Sequence, residues 1–135
     1  MTVLVFIYGT LKRGFPLHAE GLAGVPVLGP ASTAEPHPLV LATDELKPMM
    51  FPEPGAGQPV EGELYEVEEA RLSLLDRLES MGKPGHLKGV LRVDTPSGPR
   101  EAWCYVKSRG LAVPVRSPFL ARYDEAAIAQ ARGAS

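Results

Sequence analysis

Apolar residues run without a break through positions 3–8, VLVFIY, and stop at a polar turn, GTLKRG, framed by Gly9 and Gly14. Branched and aromatic side chains at successive positions suit a strand covered on both faces, which places this segment centrally in a sheet. Residues 60–67, VEGELYEV, alternate instead: Val60, Gly62 and Leu64 point one way, and Glu61, Glu63 and Tyr65 the other. Period two of this kind predicts a strand with two different faces. PLVLA, residues 38–42, is a shorter strand of the same type.

Between these segments the pattern breaks. Residues 14–38 hold five of the 14 prolines and show no period, so they are read as loop with one short helical turn over residues 18–22. Residues 48–59, PMMFPEPGAGQP, are read mostly as loop, with brief pairing over residues 49–51. EEARLSLLDRLESMG, residues 68–82, carries the helical period and ends on Gly82, placed to terminate it. LKGVLRVDT and REAWCYVK are two strands around the turn residues Pro96, Ser97, Gly98 and Pro99, a hairpin, and a short helix is predicted over residues 124–132. Mostly strands, one main helix and long loops argue an α+β fold with a mixed, curled sheet.

Composition narrows the function. A chain of 135 residues is read as one domain, residues 1–135. No apolar run approaches the ~18 residues of a membrane span. No basic leader and apolar core precede the first strand, so the expected location is cytoplasmic. A formal net charge of -2, with Lys12 and Arg13 as the longest basic cluster, argues against nucleic acid as a partner. The single cysteine, Cys104, and three scattered histidines suggest neither a disulfide framework nor a zinc site, and Cys104 reads as a buried thiol.

Two features carry chemistry. On the helix, at about 100° per residue, Glu79 falls at about 340°, between Leu72 at the origin and Leu75 at about 300°. A carboxylate directed with the apolar stripe is costly unless it is paired or protonated, which makes Glu79 a candidate general base. The plainer alternative is a frayed helix end that turns Glu79 to solvent. Gly9 and Gly14 enclose four residues as a P-loop does, but Phe15 stands where a Lys followed by Ser or Thr is needed, so a nucleotide site is rejected. What is left is a strand delivering a close-approach turn whose amides can converge on an anion such as a carboxylate.

Taken together, VFIYGTLKRG, the following FPLH, VEGELYEV and LDRLES resemble the gamma-glutamylcyclotransferase-like family, most closely its gamma-glutamylamine cyclotransferase branch, over residues 3–107. The resemblance implies a small mixed, barrel-like sheet flanked by helices. It further implies a substrate-holding loop of Tyr8, Gly9, Thr10 and Leu11, and Glu79 as the acid/base. The family reaction is intramolecular: the substrate's α-amine attacks its own γ-carbonyl, forms 5-oxoproline and expels an amine, with no metal or cofactor. The expected partner is therefore a small γ-glutamyl molecule. The alternative is a non-catalytic protein of the same fold that binds a small carboxylate.

One stretch departs from the family pattern. Relatives carry Tyr, then Arg two positions later, shortly after the catalytic Glu; here GKPGHLKG puts His86 and Lys88 in those places with one extra residue. Tyr123 and Arg122 are further candidates to replace that pair. Asp76 and His18 are read as structural, His18 orienting the loop, and Tyr65, Trp103 and Tyr105 as sheet aromatics.

Overall fold

The computed structural model describes residues 1–133. In chain order its elements are β1 (Thr2–Ile7), α1 (His18–Gly21), β2 (Val27–Thr33), β3 (Leu39–Ala42), β4 (Lys47–Met50), β5 (Glu61–Glu68), α2 (Leu72–Leu78), β6 (His86–Thr95), β7 (Gly98–Lys107) and α3 (Glu125–Gly133). None of its helices is long and apolar enough to cross a membrane.

The strands β1, β5, β2, β6 and β7 close in that order into a barrel. Closure is made by β7 returning parallel to β1, with Val5 opposite Trp103 and Phe6 opposite Cys104. The other barrel pairings are antiparallel. A closed sheet leaves β1 with a neighbour on each side and no free edge, as its unbroken apolar run requires. Phe6 points into the barrel beside Leu64, Val93 and Cys104, while Val5 and Ile7 point outward onto Leu11, Leu22 and Leu75. The alternation of β5 is divided the same way, with Leu64 inside and Tyr65 and Val67 under the helices. At Gly62 a Cβ would collide with the Ile7 carbonyl and meet the Phe6 ring at 2.9 Å, so only glycine lets β1 and β5 approach at this point.

Two expectations need correction, and a third, the brief pairing, holds with shifted bounds. The stretch read as loop over residues 14–38 contains a full strand, β2, lying between β5 and β6. Its glycine and proline are accommodated by a register shift between Val27 and Gly29 and by pairing to β6 only at Ser32 and Thr33, beyond Pro30. The brief pairing expected at residues 49–51 is β4, which forms a separate two-stranded sheet with β3. The single helix expected over residues 68–82 is shorter: a 3-10 turn at Glu69–Arg71 leads into α2, which ends at Leu78.

The stop lies at Ser80, not Gly82. Ser80 adopts a left-handed conformation (φ 59), with its N–H bonded to the Arg77 carbonyl at 3.1 Å and the Met81 N–H to the Asp76 carbonyl at 2.9 Å. This pair of bonds is a Schellman termination with Ser in the place usually held by glycine. Glu79 is thereby the C-cap residue.

Candidate active site

The turn after β1 is built on its own carbonyls. Lys12 N–H donates to the Gly9 carbonyl at 2.9 Å, Leu17 N–H to that of Thr10 at 3.0 Å, and His18 Nδ1 lies 3.0 Å from the Leu11 carbonyl. His18 thus orients the loop, as the sequence suggests. Gly9 is where β4 closes in, since a Cβ there would sit 3.0 Å from the Pro48 ring. Beside this turn opens a cavity of about 430 Å³, lined by Tyr8, Gly9 and Thr10 and also by Glu79, Ser80, His86, Tyr105 and Lys107. Thr43, Lys47, Pro48 and Met49, from the β3–β4 hairpin, form part of its wall.

Glu79 therefore lines the same cavity as the turn. Its Oε2 accepts a 3.0 Å hydrogen bond from Lys107 Nζ, and the two side chains are 18% and 10% exposed. A carboxylate at the carboxyl end of a helix faces the negative end of the dipole, so the Lys107 ammonium compensates both that placement and the burial. Lys107 was missed by the sequence reading. Its signal was the alternation of β7: residues 103, 105 and 107 share one face, so a lysine follows Trp103 and Tyr105 toward the helix layer.

Tyr105, read as an ordinary sheet aromatic, lines the cavity, whereas Tyr65 and Trp103 do not. Its Oη donates to Asp76 Oδ1 at 2.6 Å, and Lys88 Nζ reaches the same carboxylate at 3.1 and 3.2 Å. Asp76 is thus structural, and Lys88 serves it outside the cavity. Burial, then the bond to Asp76, pushes the Tyr105 phenol far above its ordinary range. Tyr8 is also raised, by burial first and then by the nearby Cys104 and Glu79, and its Oη donates to the Tyr105 carbonyl at 2.7 Å. Both phenols are hydrogen-bond donors at neutral pH.

His86 does line the cavity, with its Nδ1 buried and without a hydrogen-bond partner. Burial and the Lys107 charge lower its pKa, against the opposing pull of the Glu79 backbone and carboxylate. Leu11 does not reach the cavity with its side chain, which is 1% exposed in the outer core. Tyr123 and Arg122 do not replace the missing pair: Tyr123 stacks on Phe15 with ring centres 4.8 Å apart, and Arg122 pairs with Glu61 and Asp124. Neither Tyr123 nor Arg122 is among the residues that line the cavity. Cys104 is fully buried, as expected, and burial raises its thiol pKa strongly.

A small closed barrel with a mainly apolar cavity, lined both by a close-approach turn and by a partly buried carboxylate–ammonium pair, is the architecture of a small-molecule site. Comparison with known proteins places it further. The family described as gamma-glutamyl cyclotransferase, AIG2-like, matches residues 5–124, and the chain belongs to that family. The gamma-glutamylaminecyclotransferase of Homo sapiens is 39% identical over 127 residues, covering 82% of this chain and 81% of the human protein. That of Bos taurus is 39% identical, covering 89% and 74%. The crystal structure of an AIG2-like protein from Mus musculus superposes with a TM-score of 0.80 at 30% identity, over 91% of this chain and 88% of that one.

Proposed function

We propose that this protein is a cyclotransferase converting a γ-glutamyl amine or γ-glutamyl amino acid to 5-oxoproline and a free amine. The observation that carries the reading is Glu79, a partly buried carboxylate in the same cavity as the Tyr8–Gly9–Thr10 turn. The family and the printed names of the human and bovine relatives support the reaction class.

In this reading Glu79 takes a proton from the substrate's α-ammonium, and the freed amine attacks the γ-carbonyl carbon. The new C–N bond closes the ring as the carbonyl π pair moves to oxygen. Collapse of that oxyanion breaks the bond to the leaving nitrogen. Over the reaction the α-nitrogen gives up two protons and the leaving nitrogen gains two, so Glu79 ends in the state in which it began. The carbonyls of Gly9, Thr10 and Leu11 are already spent within the turn. What these residues offer a substrate is N–H groups, suited to the α-carboxylate. Holding the glutamyl chain folded supplies the proximity that ring closure needs, an effect of up to about 7–11 kcal/mol in well-oriented systems.

The test is to incubate the protein with a panel of γ-glutamyl amines, γ-glutamyl dipeptides and glutathione and quantify 5-oxoproline. Product from at least one substrate is expected, with Glu79→Gln folded and inactive. No product from any of them would favour the carboxylate-binding alternative. An active Glu79→Gln would remove Glu79 from the mechanism.

A further inference from the structure

The pair between Glu79 and Lys107 poses a chemical problem once the cyclotransferase reading is adopted, and the inference drawn here rests on that reading. Lys107 is 10% exposed, its Nζ is 3.0 Å from Glu79 Oε2, and it lines the same cavity. When Glu79 takes up a proton its negative charge disappears. A nine-tenths buried ammonium would then be left without an anion, a state that is strongly disfavoured. The same step creates a negative charge elsewhere: attack by the deprotonated amine puts it on the γ-carbonyl oxygen. Amine nitrogen and oxyanion are attached to one carbon, so an oxygen next to the nitrogen that Glu79 serves also lies next to the group that Glu79 touches.

We infer that Lys107 holds the oxyanion formed on the substrate's γ-carbonyl, exchanging the Glu79 carboxylate for that oxygen as the proton moves. Lys107 stays an ammonium throughout. The cation has one anionic partner before attack, a second during it, and the first again after the leaving amine has taken its protons. An interaction realised mainly in the transition state acts on kcat more than on KM. His86 fits the same arrangement as a neutral neighbour that does not compete with Lys107 for the anion.

The experiment compares wild type with Lys107→Gln and Lys107→Arg on the best γ-glutamyl substrate of the panel. Glutamine retains a donor toward Glu79 and removes the charge. Its kcat is expected to fall by about 100- to 1,000-fold, the range for losing an oxyanion donor, with KM changed by less than about threefold. Arginine keeps the charge and is expected to recover most of the loss. A folded Lys107→Gln enzyme with kcat within about threefold of wild type would overturn the inference and leave the cyclotransferase reading standing. Loss confined to KM would also overturn it, because that marks ground-state binding. A wild type inactive on every substrate would overturn both. Should Lys107→Gln fail to fold, the wild-type protein decides: a phosphinate mimic of the tetrahedral intermediate is expected to take up about one proton on binding, since Lys107 must be freed from Glu79. Calorimetry in buffers of different ionisation enthalpy reads this, and binding without proton uptake would overturn the inference.

Discussion

Tyr105 and Asp76 are joined by a 2.6 Å hydrogen bond from phenol to carboxylate, which fastens α2 to the last strand of the barrel one turn before Glu79. With Lys88 on the same carboxylate, a single side chain fixes the height and rotation of the helix that presents Glu79. Asp76→Asn weakens bonds to a charged acceptor, each worth about 1.5–3 kcal/mol. A lower thermal midpoint is expected, together with a fall in kcat, because the Glu79 carboxylate is no longer held in register. An unchanged melting curve would show that the anchor lies elsewhere.

His86 sets a pH dependence. Burial and the charge of Lys107 place its folded pKa below the ordinary value, so the unfolded chain binds the proton first on acidification. Its contribution to stability is therefore intact above about pH 6.5, the unperturbed histidine value, and is lost as pH falls through that value toward the lowered one. Between pH 7.5 and 5.5 the melting temperature of wild type should drop more than that of His86→Gln. Equal drops would remove His86 as the source.

Gly62 is predicted to be intolerant of any side chain. Alanine there meets the Ile7 carbonyl and the Phe6 ring, neither of which can move without parting β1 from β5. Gly62→Ala should cost about 3 kcal/mol or more, within the range for a steric conflict with backbone, as measured by urea unfolding. Gly89, which has nothing within 4 Å of a Cβ position, serves as the contrasting site.

The thiol of Cys104 is fully buried and its ionisation strongly suppressed. In the native protein it should resist aromatic disulfide reagents and react at once in denaturant, because the thiolate is the reacting species. Rapid labelling of the folded protein would mean that the barrel opens locally at β7.

Much of this was legible in the chain because it is local. The unbroken apolar run of β1, the alternation of β5 and the hairpin of β6 and β7 each show their own period, and the helical phase was enough to direct Glu79 inward. What was hidden depends on distant partners. The β2 strand carries Gly29 and Pro30, residues that weaken strand patterns, and pairs only because β5 and β6 lie on either side of it. Helix termination at Ser80 follows from two backbone bonds, not from a glycine. Lys107 is 28 residues from the carboxylate it compensates, so no short motif contains both. Tyr105 looked like any sheet aromatic until the barrel closed and turned it toward α2.

The Schellman turn at Ser80 has an evolutionary corollary for where this chain can change length. Each residue added within α2 would rotate Glu79 by about 100° about the helix axis and carry the carboxylate out of the cavity. Past the turn the helical phase no longer sets the direction of Glu79, and the segment from Met81 to Gly85 is held instead by Met81 against the outer core and by the Ser108 N–H on the Gly85 carbonyl. Gly82 and Gly85, both at positive φ, lie within it. GKPGHLKG, the stretch read above as departing from the family pattern, begins beyond that boundary, so a length change there would leave the direction of Glu79 set by α2.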